Sequence, residues 1–356
     1  MTKPNVLIFA PRDEPASMLA EVEKAGVEIA LGNRDWPWTR KPEYEDELIA
    51  AARESVGMMG SMIRCTPISR RVLESCQRLR VVAKYTVGVD DVDLEAATEL
   101  GVMVCHAPTE SNCYGVAETT ITFILAMLKK VQERDAAVRE GRWREPVLAT
   151  TFLGTRVSED APGITIGLVG LGRIGMRVAQ LLAPWRVRLI ACDPHAPPSS
   201  FQLSNAKRVD YQTLLREADV VSFHVTLTNE TRFMMDEKEL SLCKKGATII
   251  NTARGKVIRE SALAKAIESG HVSGAALDVF EDEPLPMDSP LRQLGTKVLL
   301  SPHSASYNRD GELRAGMAWA MRAIVTALRG DVPDNVYNKD VIPRWRERFG
   351  GAGVID

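Results

Sequence analysis

The chain has 356 residues, and 45 Lys plus Arg against 47 Asp plus Glu leave a formal net charge of −2. That length suits two domains of ordinary size, and 45% hydrophobic with 26% charged residues is a globular composition. The near-zero charge argues against a nucleic-acid or membrane-surface partner, since both favour a basic excess.

The longest apolar stretches, such as 123–128, fall far short of the ~20 residues a membrane-spanning helix needs. The run 6–10, stopped by Pro11, is too short for a secretory signal. Cys65, Cys76, Cys105, Cys113, Cys192 and Cys243 form no Cys-x-x-Cys and have no His at zinc spacing. They read as reduced thiols in a cytoplasmic protein without a metal site.

In chain order, short β-type runs at 5–10, 27–31, 56–59, 79–83 and 102–105 alternate with helix-permissive segments such as 15–24 and 68–75. That alternation predicts βαβ units and a parallel sheet. A long helical pattern follows from about 116 to 139, with Ile121, Ile124, Leu125 and Leu128 on one face. A domain hinge is placed before it, and a loop over 141–163 after it. Strands then recur at 164–169, 187–192, 220–225, 247–250, 274–279 and 297–300, the six of a dinucleotide-binding doubly wound sheet. A last amphipathic helix carries Leu313, Met317, Met321, Ile324 and Leu328, and the tail after Asp331 has no clear period.

Gly170-Leu171-Gly172-Arg173-Ile174-Gly175 is a G-x-G-x-x-G. Alone it is weak, but a buried strand runs into it and an apolar-faced helix comes after it. The first glycine makes the turn, the second admits a pyrophosphate, and the third lets helix and strand pack closely. Asp193 stands 18 residues beyond Gly175, after the second strand. An acid there accepts from a ribose diol and repels a 2′-phosphate, which favours NAD. The competing reading is a glycine turn that binds nothing.

Ligands of open α/β sheets sit beyond the carboxyl ends of the strands. There the sequence places His224, Thr226 and Thr231, then Thr252, Ala253 and Arg254, then Asp278 with Glu283, and finally His303. These types suit hydride transfer to a 2-keto acid. His303 would supply the proton, and Glu283 would orient its imidazole. Arg254 would grip the substrate carboxylate. Asp278 would hold the nicotinamide carboxamide. Singly, each has a plain structural explanation, as a solvated charge, a turn cap or a loop histidine. Their joint placement at strand ends favours the functional one. His224 reads as cofactor-adjacent rather than a proton donor, and His106 as a weak candidate for substrate contact.

Together these residues resemble the D-isomer-specific 2-hydroxyacid dehydrogenase family, from about Thr66 to about Asn338. The resemblance rests on Val87-Gly88-Val89-Asp90 with Val92-Asp93, Val116-Ala117-Glu118, the glycine motif, 224–228, 251–255, 277–284 and Ser301-Pro302-His303. It implies an α/β fold of two doubly wound parallel-sheet domains. A Rossmann NAD domain (114–304) would be inserted in a flavodoxin-like substrate domain (1–113 and 305–356). It implies Arg254, Glu283 and His303 as catalytic residues, and a substrate carboxylate met by Val87 and Gly88 together with Arg254. It implies a cofactor held by Gly170, Gly172, Arg173, Ile174, Gly175, Asp193, His224, Thr226, Thr231, Thr252, Ala253, Asp278 and His303. The assembly it implies is a homodimer. Two positions depart from the family pattern: Thr86, where a glycine is frequent, and Thr226, where a proline is usual. Arg64, Lys84 and Thr86 are placed near the cleft mouth.

The leading expectation is an NAD-dependent dehydrogenase or reductase of a small D-2-hydroxy acid and 2-keto acid pair. An NAD-sensing binding protein on the same fold is the alternative from another class. A same-fold dehydrogenase of another small anion, such as phosphite, is the third.

Overall fold

The computed structural model describes residues 3–9, 16–33, 41–61, 66–308 and 312–355. The chain divides into two compact units, Met1–Asn112 with Asn308–Asp356, and Cys113–Tyr307.

In the first unit the strands are β1 (Asn5–Ile8), β2 (Glu28–Leu31), β3 (Ser55–Gly60), β4 (Val81–Lys84) and β5 (Met103–Cys105). They pair in parallel in the order β2-β1-β3-β4-β5, that of a flavodoxin-like sheet. β3, β4 and β5 are buried along their whole length, so they read as unbroken apolar runs rather than as alternating ones. Alternate residues serve opposite faces. Val6 and Ile8 join a cluster with Met317, Ile324 and Leu328 of the helix Glu312–Leu328. Leu7 and Phe9 join another with Leu48, Ile68 and Val72.

The second unit holds β6 (Thr165–Val169), β7 (Arg188–Cys192), β8 (Lys207–Arg208), β9 (Val220–Phe223), β10 (Ala247–Asn251), β11 (Val272–Leu277) and β12 (Val298–Leu300). Their order is β12-β11-β10-β9-β6-β7-β8, again with parallel pairing. The strand order reverses between β6 and β9, which makes a topological switch point there. The strand beyond the six expected is β8, two exposed residues with no apolar signal.

Two expectations are corrected, for the long helix and for the tail. The long helix over 116–139 is two helices, Glu110–Leu128 and Val131–Arg139, divided where Lys130 takes φ 48. Residues 141–163 form a loop between them and β6, with two short 3-10 turns in it, Pro146–Leu148 and Val157–Glu159. The tail is not aperiodic: Ile342–Phe349 is a helix whose Trp345 is fully buried and donates its indole N–H to the Arg80 carbonyl at 3.1 Å. Ala10, Arg64 and Cys65 lie outside the described residues, and so does the Leu313 side chain. Among the described residues no helix is long and apolar enough to cross a membrane.

Candidate active site

At the switch point β6 runs into Gly170, whose φ of +95 favours glycine. A Cβ there would lie 2.8 Å from the His224 carbonyl, at the end of β9. A Cβ on Gly175 would lie 2.3 Å from the Gly170 carbonyl oxygen, so the helix Arg173–Leu182 starts hard against the turn. Gly172 differs: nothing lies within 4 Å of where its Cβ would be, and it caps that helix with no side-chain bond. Open space over an uncapped helix N-terminus fits a pyrophosphate. Arg173 and Ile174 are the first two helical residues.

Asp193 lies just past β7. One carboxylate oxygen accepts the Leu171 N–H at 2.8 Å, and the other accepts the His195 and Ala196 N–H groups at 2.9 and 3.0 Å. The acid therefore ties the glycine turn to the second strand, with lone pairs left over for a diol.

His224 shares a 2.9 Å hydrogen bond between its Nε2 and Ser222 Oγ, and its buried Nδ1 meets no protein partner among the described residues. Burial pushes this imidazole down to about 4, so it is neutral near pH 7 and does not serve as an acid there. Thr231 Oγ1 donates to the Thr226 carbonyl at 2.6 Å, and Thr228 N–H donates to Thr231 Oγ1 at 2.8 Å. The bond to Thr231 fixes the loop at the position where the family pattern has proline.

Asn251 ends β10 and organises the loop that carries Arg254. Its Oδ1 accepts Ala253 N–H at 3.0 Å and its Nδ2 donates to the Arg254 carbonyl at 2.9 Å. Thr252 Oγ1 bonds Thr120 Oγ1 at 2.9 Å. Arg254 Nη1 donates to the Ala253 carbonyl at 2.7 Å. The next residue, Gly255, lies so close to Phe280 that a Cβ would stand 1.9 Å from its backbone carbonyl. Only glycine lets the arginine loop and the acid loop touch in this way.

Asp278 is 2% exposed, and its two oxygens accept Ser304 N–H at 2.9 Å and Ala305 N–H at 3.0 Å. That anchors the turn carrying His303, which itself has φ 50. His303 Nδ1 meets both oxygens of Glu283, at 2.8 and 3.0 Å, and Glu283 also accepts Phe280 N–H at 3.1 Å. An ionised carboxylate only accepts, so Nδ1 carries hydrogen toward Glu283 and Nε2 keeps the other role.

In the first unit, Thr86 Oγ1 donates to the Gly88 carbonyl at 2.8 Å, and His106 Nδ1 lies 3.3 Å from the Val87 carbonyl. Thr86 thus closes the turn at Val87 and Gly88. Lys84 is no surface cation. It is fully buried, bonded to Asp91 and to the Ser61 carbonyl at 2.5 Å each, and burial lowers its pKa against the opposing pull of Asp91.

Asn251 was visible in sequence as the polar residue closing an apolar strand, yet its organising role was not. Among the described residues no group of three or more His, Cys, Asp or Glu residues could hold a metal ion.

Residues 121–305 match the family model described as "D-isomer specific 2-hydroxyacid dehydrogenase, NAD binding domain". The chain is 35% identical over 344 residues to a glyoxylate reductase of Thermofilum pendens, covering 96% of each chain. It is also 35% identical over 349 residues to a D-3-phosphoglycerate dehydrogenase of Mycobacterium bovis, of which it spans 63% of the length while 96% of this chain is matched. The solved D-lactate dehydrogenase of Aquifex aeolicus, complexed with NAD and lactic acid, superposes with a TM-score of 0.75 at 25% identity over 99% of both chains.

Proposed function

The chain belongs to the D-isomer-specific 2-hydroxyacid dehydrogenase family, and from that premise we propose that Arg254, Glu283 and His303 carry hydride-transfer chemistry on a small 2-keto acid. As a member it is an NAD-dependent oxidoreductase of the 2-hydroxy and 2-keto acid class. The observation that carries the residue assignment is the Glu283–His303 pair, with Nδ1 held by both carboxylate oxygens.

Bound NADH supplies the hydride that reaches C2. The protein's part is to hold the substrate and deliver one proton. Arg254 grips the substrate carboxylate through its guanidinium, which also polarises the adjacent carbonyl. His303, charged and steadied by Glu283, gives the Nε2 proton to the oxygen as its bond order falls, leaving a neutral imidazole and a hydroxyl. In oxidation the same nitrogen takes the proton back. The backbone amides of Val87 and Gly88 are assigned to a substrate carboxylate as well.

The cofactor is assigned to the turn Gly170, Gly172, Arg173, Ile174 and Gly175 for its pyrophosphate, and to Asp193 for the adenosine ribose. His224, Thr226, Thr231, Thr252 and Ala253 line its course, and Asp278 and His303 stand at the nicotinamide. We further propose a cytoplasmic homodimer. Trp143, Phe152 and Val157 are 73%, 65% and 73% exposed within the stretch 131–157, and large apolar side chains left open in number mark an interface.

Activity is tested by NADH oxidation against a panel of 2-keto acids beginning with glyoxylate. Turnover of at least one small member is expected. A chain that binds NADH and turns over none of them is instead a sensor, and the proposal fails.

A further inference from the structure

Beyond the trio, we infer that Glu260 and Glu281 form a reciprocal clamp that positions the acid loop, and so Glu283 and His303, against the Arg254 loop. Glu281 Oε1 accepts Glu260 N–H at 2.6 Å, while Glu260 Oε1 accepts Glu281 N–H at 2.5 Å. Each carboxylate thus satisfies the other residue's backbone, across 21 positions of chain. Glu260 opens the helix Glu260–Glu268, whose preceding residue, Arg259, offers no side-chain cap. Glu281 supplies the missing acceptor from another segment.

The clamp sits where three loops need a common register. Arg254 stands six residues before Glu260, and Glu283 two residues after Glu281. Gly255 lies on the backbone of Phe280, the residue before Glu281. The acid loop is gripped by the Gly255 contact and the clamp on one side, and by Glu283–His303 and Asp278–Ser304 on the other. Arg259 completes the corner: its Nη1 is 4.0 Å from Glu281, its Nε bonds Asp236 at 3.2 Å, and its guanidinium stacks 3.6 Å from the centre of the Phe233 ring.

The placement of Glu260 is costly. Burial pushes its carboxyl up to about 7 against the opposing hydrogen bond from Glu281 N–H, with the charges of Glu281, Asp282 and Glu283 adding to the rise.

The inference rests on Glu283–His303 as the proton-delivering pair, and its test separates the two. Glu260→Ala is expected to lower kcat by about tenfold or more, because small misplacements of positioned groups are expensive. NADH Kd should stay unchanged. Glu260→Gln keeps the oxygen acceptor and is expected to hold kcat within about threefold of the parent, which a defect caused by the lost charge alone would not allow. Glu281→Ala, which removes the acceptor toward Glu260 N–H from the other side, should lower kcat as Glu260→Ala does, and Glu281→Gln should restore it, which keeps the clamp falsifiable if Glu260→Ala fails to fold. Full kcat in a folded Glu260→Ala protein overturns the clamp, as does Glu260→Gln failing along with it. If His303→Ala also retains turnover, the failure lies with the proton-donor assignment instead. If His303→Ala is dead while Glu260→Ala is fully active, only the clamp falls.

Discussion

At the scale of single residues, the site is held by carboxylates that organise backbone. His303 takes φ 50, a region few non-glycine residues adopt, and Asp278 sustains it by receiving the next two amides. Asp278→Asn replaces one acceptor with an amide donor facing a backbone N–H. It is expected to cost about 1–3 kcal/mol of stability and to lower kcat, read by thermal unfolding and steady-state kinetics on the same preparation. Glu283→Gln keeps the shape but no longer stabilises the imidazolium. Turnover should fall by about 10²-fold or more, and an unchanged kcat would remove Glu283 from the mechanism.

Glu260 carries a pH signature with a definite sign. Its folded-state pKa is raised to about 7 from the ordinary 4.5. The unfolded chain therefore ionises first, and stability present below about 4.5 is lost as pH climbs toward 7. Glu260→Gln has no such loss. Its unfolding temperature should gain on the parent between about pH 5 and 8 by the equivalent of about 1–2 kcal/mol, allowing for screening of a partly exposed group. A constant difference across that range counts against the assigned shift.

At the scale of elements, both sheets apart from β8 were legible because buried parallel strands are written as short apolar runs. The turn at Gly170 was legible because its glycines are forced: at Gly175 a methyl group would overlap the Gly170 carbonyl oxygen. Gly175→Ala should push the helix Arg173–Leu182 off the turn and weaken NADH binding by about tenfold or more, measured by fluorescence titration. The features hidden in the sequence have physical causes. The break at Lys130 falls among helix-permissive residues, with neither Gly nor Pro to mark it. The final helix, Ile342–Phe349, is short and arginine-rich, so its apolar face is a single i, i+3, i+7 set of Ile342, Trp345 and Phe349, too brief to stand out in the sequence. Because Trp345 is fully buried, Trp345→Ala should destabilise the first unit by about 3–5 kcal/mol. The Glu260–Glu281 clamp left no trace either, since a contact 21 residues apart has no local pattern.

At the scale of the whole molecule, a net charge of −2 is compatible with anion binding if recognition is local, as proposed. On the proposed assignment, a helix N-terminus over Gly172 and the guanidinium of Arg254 do this without a basic surface. Lys84, the cation nearest the turn at Val87 and Gly88 in sequence, is spent on Asp91 inside the first unit. The proposed dimer is checked by sedimentation: charging the exposed stretch with Trp143→Glu and Phe152→Glu should halve the mass of the particle. A parent that already sediments as a monomer would refute the dimer.

The most direct test of the account is His303→Ala, with NADH affinity and turnover of the best 2-keto acid measured side by side. Delivery of the proton by Nε2 predicts NADH Kd within about twofold of the parent and kcat reduced by about 10²–10⁴-fold. Turnover preserved with the imidazole gone would contradict it.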